Sequence, residues 1–230
     1  MLLTSNGISN DLIGDALLDL LEKPISESRV AVVIDAILGF PGDSSALIKH
    51  LGGLQSMGWA EIDVVSLFAG PRTLVESRLR SADVILGYGG SNLWLAHSWT
   101  ATGLAPVLAE LLAEKVYVGW SAGSMIFPRL LERWPEDFDD EEELEMFGLD
   151  VVTSPAPLFD WFFMGHLNAD WMPENAEQRA ASGAAKSKQP VWFVDDDTAL
   201  VLCDPALEPV VVSSGHWLRF DENGLLAESH

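Results

Sequence analysis

The segment V-Y-V-G-W-S-A-G-S-M-I, residues 116–126, has an apolar run, then a serine between two glycines, then a second apolar run. The first run predicts a buried strand, and the second predicts a helix. A G-x-S-x-G pattern at such a junction presents its serine on a sharp turn, for which Gly119 and Gly123 leave room. Ser121 is therefore either a nucleophile or a small residue at which a strand and a helix pack closely.

The chain around this segment alternates β-type apolar runs with amphipathic helical stretches. After a first strand in L-L-T-S, the predicted strands are 29–37, 61–67, 82–87 and 115–120, and the predicted helices are 11–21, 44–57, 72–80 and 103–114. This rhythm predicts an α/β fold with a mostly parallel sheet sandwiched by helices. The apolar runs in 191–202 and 209–220 predict strand pairs, which we interpret as an antiparallel C-terminal extension of the same sheet. We expect a single domain over 1–230.

The sequence has a formal net charge of −22, from 13 Lys and Arg against 35 Asp and Glu. That charge argues against a protein that binds nucleic acid or an anionic membrane, because both need basic surface. The single cysteine, Cys203, is expected to be a buried strand residue, and no His or Cys spacing indicates a zinc site. No apolar run is long enough to span a membrane, and no signal peptide is evident, so we expect a cytoplasmic protein.

A second glycine-rich segment, L-G-Y-G-G-S-N-L-W (86–94), follows another predicted strand. Its spacing matches neither a Walker loop, because no G-K-[ST] follows, nor the G-x-G-x-x-G dinucleotide fingerprint. Gly90 could place a backbone amide near Ser121, and Ala122 follows Ser121 at the start of the predicted helix. Two such amides would form an oxyanion hole. The alternatives are a phosphate-binding loop and an ordinary turn.

A serine nucleophile needs a base, and the sequence has five histidines. They are His50 on a polar helical stretch, His97 in a Trp-rich helix, His166, His216, and His230 at the terminus. His166 follows the run W-F-F-M-G, which predicts a side chain at the carboxyl end of a strand, where α/β sheets bind ligands. His216 lies between S-S-G and W-L-R-F, which predicts a hairpin. We therefore expect His166 to be the base.

The acid that would orient this imidazole is predicted in D-D-D, where one of Asp195, Asp196 and Asp197 would point inward. The acidic run P-E-D-F-D-D-E-E-E-L-E (135–145) offers competitors. That run predicts a solvated loop or helix face, with a lid over the site as the alternative. No ligand spacing within it indicates a metal site, so we expect neither a metal nor a cofactor.

Several of these segments together resemble the peptidase E family of serine-type aspartyl dipeptidases, to which cyanophycinases are related. The matching segments, in chain order, are L-L-T-S-N-G-I-S, A-D-V-I-L-G-Y-G-G-S-N-L-W-L, V-Y-V-G-W-S-A-G-S-M, G-H-L-N-A-D-W-M-P-E-N and V-D-D-D-T-A-L-V. They span nearly the whole chain, and the combination is far more specific than G-x-S-x-G alone.

The resemblance implies a fold similar to class I glutamine amidotransferases and a catalytic triad of Ser121, His166 and Asp196. The amides of Gly90 and Ala122 would supply the oxyanion hole. It also implies a serine peptidase that cleaves short peptides, N-terminal Asp dipeptides among them, through an acyl-enzyme and without a cofactor, as a monomer or homodimer. The order serine, histidine, acid differs from that of α/β-hydrolases, in which the acid precedes the histidine.

The sequence departs from that family in three places. The family's acid is commonly glutamate, and its glycine loop commonly reads G-G-G-N-T where this chain has Y-G-G-S-N (88–92). Its dipeptidases have arginines after the histidine segment that pair with a substrate aspartate. Here Arg179 is kept, while Ala176 stands where another arginine is expected. Because a net charge of −22 repels an acidic dipeptide, binding an N-terminal aspartate would depend on Arg179 and Arg129.

Two other functions stay open from the sequence. One is an α/β-hydrolase-type esterase in which His216 is the base. The other is a catalytically inactive protein that keeps the fold and binds a ligand or partner.

Overall fold

A computed structural model describes residues 1–133 and 140–230 of the chain. Its strands are β1 (Leu2–Thr4), β2 (Arg29–Val33), β3 (Glu61–Val65), β4 (Val84–Gly87), β5 (Val116–Trp120), β6 (Phe162–Met164), β7 (Val191–Val194), β8 (Thr198–Val201), β9 (Val210–Ser213), β10 (Trp217–Phe220) and β11 (Leu226–Ser229). Its helices are α1 (Asp11–Leu21), α2 (Asp35–Leu38), α3 (Ser45–Ser56), α4 (Arg72–Ser81), α5 (Asn92–Ala101), α6 (Ala105–Glu114), α7 (Ala122–Met125), α8 (Asp140–Phe147) and α9 (Ala176–Ser187).

The main sheet has seven strands in the order β3-β2-β4-β5-β1-β8-β9. The first five of these pair in parallel, while β8 is antiparallel to β1 and β9 is antiparallel to β8. The predicted fold class, a mostly parallel sheet with helices on both sides and an antiparallel C-terminal part, is confirmed. The carboxyl ends of β1, β4 and β5 lie at one edge of this sheet, where Ser121 follows β5.

Both faces of the main sheet are buried, and β2 is an example. Successive side chains of a strand point to opposite faces of its sheet. Val30 and Val32 pack in one apolar cluster with side chains of α1 and α3. Ala31 and Val33 pack in a second cluster with side chains of α4, α5 and α6. This two-sided burial explains the continuous apolar run that predicted the strand.

That strand is shorter than the predicted range 29–37, because the backbone leaves the sheet after Val33 and forms α2. The buried Asp35 carboxylate accepts hydrogen bonds from the Leu67 amide at 2.8 Å and the Ser66 hydroxyl at 3.0 Å, at the end of the neighbouring strand β3. Burial raises the pKa of Asp35. The carboxylate thus holds the turn against β3, and the prediction failed because the apolar residues around Asp35 suggested a continuing strand.

The C-terminal strands are divided between two sheets, which corrects the expectation of one extension. β8 and β9 join the main sheet, whereas β7 and β10 form a second sheet with β6 and β11, in the order β11-β10-β7-β6. His216 joins β9 of one sheet to β10 of the other and so does not lie in a hairpin. Cys203 lies beyond the end of β8 and is exposed, which corrects the expectation of a buried strand residue.

The acidic run is described only in part, since residues 134–139 lie outside the described residues. Residues 140–145 of the run form most of α8. Glu143 of this helix accepts a hydrogen bond from the Ser91 hydroxyl at 2.5 Å. The Phe147 ring lies 4.9 Å from the ring of Trp94 in α5.

Within residues 1–133 and 140–230, no helix is long and apolar enough to cross a membrane.

Candidate active site

Ser121 lies on a sharp turn between β5 and α7. Its backbone has φ 51° and ψ −115°, a conformation that a side-chain-bearing residue rarely adopts. The Ser121 amide donates to the Thr4 carbonyl at 2.9 Å, which ties the turn to the end of β1. The strained backbone is the one expected of a serine presented from a strand-to-helix elbow.

Gly123 allows α7 to pack directly on the backbone of β4. A Cβ atom added to Gly123 would lie 1.9 Å from the Gly87 carbonyl oxygen, a distance that only a backbone shift could relieve. The second glycine of the G-x-S-x-G pattern is therefore a packing requirement. The motif therefore makes the close contact of strand and helix that was one of its two interpretations, and it also presents Ser121 on a turn, while the role of Ser121 as a nucleophile stays a prediction.

We expect Gly123→Ala to lower the free energy of unfolding by about 3 kcal/mol, because the methyl group must displace the backbone of β4. Urea denaturation followed by circular dichroism would measure the change. The matched control is Gly52→Ala in α3, where an added Cβ meets no atom within 4 Å. Since alanine favours a helix more than glycine does, that variant should be more stable by about 0.5–1 kcal/mol. Equal effects at both positions would contradict the packing argument.

His166 joins Ser121 to Asp196 by two hydrogen bonds. The Nε2 atom of His166 lies 2.9 Å from Ser121 Oγ, and its Nδ1 atom lies 2.8 Å from Asp196 Oδ1. His166 follows β6 with φ 65°, so its backbone also lies in the left-handed region. Three residues that are far apart in the sequence are thus brought into one line of hydrogen bonds.

The three aspartates of D-D-D have different surroundings. The Asp195 carboxylate accepts from the Asp197 amide at 3.1 Å, the Thr198 hydroxyl at 2.8 Å and the His216 amide at 2.5 Å. These bonds hold the turn between β7 and β8. The Asp196 carboxylate faces His166, and Asp197 is exposed. The geometry therefore selects Asp196 from the triplet, and its role as the acid stays a prediction.

The Asp196 carboxylate has two hydrogen-bond donors. Hydrogen bonds from His166 and from Ser5 hold the pKa of Asp196 below the usual value for aspartate, although partial burial acts in the opposite direction. Asp196 therefore remains ionised at neutral pH, which is the state that fixes the imidazole orientation and stabilises an imidazolium.

The glycine loop runs beside Ser121. A Cβ atom added to Gly89 would lie 3.3 Å from the Ser121 Cβ. Gly90 has φ 132°, and a Cβ atom there would lie 2.5 Å from the backbone of Ala36, so only glycine fits. The loop and the Ala122 amide thus flank Ser121, as the predicted oxyanion hole requires, and this role stays a prediction for both amides.

Ser5 is a site residue that the sequence analysis missed. It is fully buried after β1, accepts a hydrogen bond from the His166 amide at 2.8 Å and donates to Asp196 Oδ1 at 2.5 Å. Its hydroxyl therefore connects the backbone of His166 to the carboxylate of Asp196. No motif marks Ser5, because its place depends on the pairing of β1 with β5, in which Thr4 lies opposite Trp120 and Ser5 is level with Ser121.

We expect Ser5→Ala to slow serine-directed labelling of Ser121 about tenfold, since one hydrogen bond to Asp196 is lost. The buried His166 amide would lose its acceptor, which should also lower the free energy of unfolding by about 1–3 kcal/mol. The control is Ser9→Ala, because Ser9 is exposed and donates to the Asp196 backbone carbonyl rather than to its carboxylate. A Ser9 variant as slow as the Ser5 variant would argue against a specific effect on the carboxylate.

The other residues singled out from the sequence are Arg129, Arg179 and His216. Arg129 pairs with Asp160 at 3.3 Å and donates to the Leu158 carbonyl, while Arg179 is half-buried in α9. His216 Nδ1 contacts the His230 carbonyl oxygen. In the part of the chain that the structure describes, no group of three or more His, Cys, Asp or Glu side chains could hold a metal ion.

The fold and the site together define a class: an α/β protein with a hydrogen-bonded serine, histidine and aspartate at the carboxyl edge of a parallel sheet. The profile of Peptidase family S51 matches residues 1–210, and the chain belongs to that family, whose members are peptidases and hence hydrolases. The resemblance to the peptidase E family is thereby confirmed.

Two solved structures are similar to this chain over almost its full length. One is a protein from Listeria monocytogenes EGD-e provisionally described as peptidase E, with a TM-score of 0.74, 17% identity, and coverage of 93% of this chain and 98% of the other. The second is a peptidase from an acI-B1 Actinobacterium, with a TM-score of 0.61, 17% identity, and coverage of 100% and 95%. At this identity they support the fold alone. No curated protein gave a significant match.

Proposed function

We propose that this chain is a serine peptidase that hydrolyses short peptides, dipeptides among them, through an acyl-enzyme on Ser121. The observation that carries the proposal is the line of hydrogen bonds from Ser121 Oγ to His166 Nε2 (2.9 Å) and from His166 Nδ1 to Asp196 (2.8 Å). Membership of a peptidase family supports a peptide bond as the substrate.

In the proposed mechanism, Ser121 Oγ attacks the carbonyl carbon of the peptide while its proton moves to His166 Nε2. The Gly90 and Ala122 amides donate to the oxyanion that develops. His166 then protonates the leaving amine, and the C–N bond breaks. A water molecule, deprotonated by His166, attacks the acyl-enzyme and releases the carboxylic acid and the free serine.

A preference for an N-terminal aspartate is the finer part of the proposal and depends on Arg179. Arg129 is engaged with Asp160, and the net charge of −22 opposes an acidic substrate. We therefore propose that peptides with a neutral first residue are cleaved at least as well as those that begin with aspartate.

A panel of dipeptides and tripeptides, with first residues Asp, Leu, Ala and Lys, tests the function directly. Each peptide is offered to the wild type and to Ser121→Ala, and only turnover that the variant loses counts. A fluorophosphonate probe, with intact-mass detection of the adduct, tests the nucleophile without knowledge of the substrate. A folded wild type that neither cleaves any peptide nor takes up the probe would support the inactive, ligand-binding alternative.

The esterase alternative predicts His216 as the base, so the two histidines are compared as variants. We expect His166→Ala to abolish labelling of Ser121, and His216→Ala to keep labelling within threefold of the wild type. The reason is that His166 bonds Ser121, whereas the His216 ring contacts the chain terminus. Labelling that survives in His166→Ala but is lost in His216→Ala would overturn the assignment.

A further inference from the structure

The side chains of His50, Tyr88 and Trp120 form a cluster of rings next to the glycine loop and the turn that carries Ser121. None of the three belongs to the proposed triad. The His50 Nδ1 atom lies 2.7 Å from the Tyr88 hydroxyl, and the His50 ring lies 4.6 Å from the Trp120 ring. The rings of Tyr88 and Trp120 are 5.3 Å apart. Each ring therefore contacts the other two, and the cluster is closed by a hydrogen bond.

The two aromatic members are next to the groups that the mechanism uses. Tyr88 immediately precedes Gly89 and Gly90, and Trp120 immediately precedes Ser121. Both side chains are buried, with 5% and 9% of their surface exposed. Movement of either ring would displace the backbone that carries an oxyanion amide or the nucleophile.

The cluster also contacts the loop that holds the acid. A Cβ atom added to Gly7 would lie 2.5 Å from the Trp120 ring, so the loop after β1 lies directly on that ring. Ser5 and Ser9, on either side of Gly7, both donate to Asp196, one to its carboxylate and the other to its carbonyl.

The glycine loop has few anchors of its own, because Gly89 and Gly90 have no side chains. On its far side, the Ser91 amide donates to the Ala36 carbonyl at 3.1 Å. On its near side, the Tyr88 amide donates to the Val33 carbonyl at 2.9 Å, and the Tyr88 side chain is held by His50. Tyr88 stands where the resembling family commonly has a glycine, so this side-chain anchor belongs to this chain's own sequence.

We propose that His50 is a positioning residue of the active site: by holding the Tyr88 hydroxyl, it fixes the glycine loop at the distance from Ser121 that the oxyanion amide of Gly90 requires. This inference rests on the proposed function. An oxyanion hole acts only when its donors are about 2.7–3.1 Å from the developing charge. A misplacement of about 1 Å in an active site can reduce the rate about 100-fold.

The protonation state of His50 is consistent with its hydrogen bond to the Tyr88 hydroxyl. Burial and the neighbouring Lys49 lower the pKa of His50, so its imidazole is neutral at pH 7. A neutral imidazole that carries its proton on Nε2 can accept a hydrogen bond from the Tyr88 hydroxyl at Nδ1. The His50 ring also packs against the Trp120 ring, so the position of the Tyr88 hydroxyl is held through His50.

Three variants separate the hydrogen bond from the packing. Tyr88→Phe removes only the hydroxyl, His50→Phe keeps a ring against Trp120 but removes the acceptor, and His50→Asn returns a polar atom near the position of Nδ1. The control is His97→Phe, since the His97 ring packs on Trp94 in the middle of α5. The measurements are kcat and KM on a peptide from the panel, the rate of Ser121 labelling, and hydrogen exchange of the Tyr88 and Ser91 amides, which are hydrogen-bonded on either side of the two glycines.

We expect Tyr88→Phe and His50→Phe each to lower kcat about tenfold with KM unchanged within twofold, because an oxyanion donor acts mainly in the transition state. The double variant should lose no more than either single variant, and His50→Asn should regain at least half of the lost rate. Exchange of the Tyr88 and Ser91 amides should be faster in both Phe variants and unchanged in His97→Phe.

Two results would overturn the proposal. One is a kcat within twofold of the wild type in both Phe variants with unchanged exchange of the Tyr88 and Ser91 amides. The other is a double variant whose loss is the product of the two single losses, because independent effects exclude a shared hydrogen bond. If the wild type neither cleaves nor is labelled, the proposed function fails, and exchange of the Tyr88 and Ser91 amides alone decides. Faster exchange in both Phe variants supports positioning of the loop, and unchanged exchange rejects it.

Discussion

The Ser121→Ala protein should fold like the wild type and lose about 10⁶-fold in kcat on any peptide that the wild type cleaves. In the proposed mechanism, Ser121 supplies the atom that forms the acyl-enzyme, and its Oγ is the group that His166 Nε2 contacts at 2.9 Å. Without that oxygen, His166 and Asp196 have no proton to move, so their presence does not reduce the loss in kcat. The measurement is single-turnover hydrolysis at high enzyme concentration, together with loss of the fluorophosphonate adduct.

The strained backbone at Ser121 supplies the control on folding. Alanine would keep the strain of φ 51°, so the Tm of Ser121→Ala should stay within a few degrees of the wild type. Glycine adopts positive φ without strain, so Ser121→Gly should be equally inactive and more stable by about 1 kcal/mol. Ser56→Ala, at the end of α3, should be labelled like the wild type. Turnover in Ser121→Ala above 1% of the wild-type value would mean that another group is the nucleophile.

The parallel part of the fold could be predicted from the sequence because its signals are local. Each predicted strand and helix before residue 121 has a counterpart, since two-sided burial gives a continuous apolar run and a helix gives a 3.6-residue period. The division of the C-terminal strands could not be predicted in this way. V-W-F-V and T-A-L-V look like one hairpin, but β7 pairs with β6 and β10, whereas β8 pairs with β1 and β9, and these pairings are long-range.

A residue of the candidate site could be predicted where a sequence motif marks it. It could not be predicted where only the topology of the fold brings it to the site. Ser121 was marked by its glycines, and His166 by its place after an apolar run. Ser5 and His50 carry no motif, because their roles depend on which strands and helices become neighbours. Asp196 lies between these cases: the triplet marked the candidates for the acid, but the choice of the one that contacts His166 needed the turn that Asp195 builds.

Asp196→Asn should lower kcat by about 10³–10⁴-fold, while Asp197→Asn should keep kcat within threefold of the wild type. An asparagine has nearly the same shape, but its neutral amide neither stabilises the imidazolium nor fixes the tautomer that keeps Nε2 ready to accept the Ser121 proton. Asp197 is exposed and serves as the matched control from the same triplet. Asp195→Asn should chiefly lower the Tm, because Asp195 holds the turn between β7 and β8 through three hydrogen bonds.

The pH dependence of stability gives a second, activity-independent test of Asp196. Its pKa is held below the usual aspartate value, first by the hydrogen bond from His166 and then by the one from Ser5. A lowered folded-state pKa stabilises the fold above the ordinary aspartate pKa of about 4, and this stabilisation is lost as the pH falls through the folded value. Urea denaturation of wild type and Asp196→Asn should therefore show a wild-type advantage at pH 7 that shrinks below about pH 4. An advantage that stays constant from pH 7 to pH 3 would mean that the Asp196 charge is not coupled to these bonds, and the triad would then need another acid.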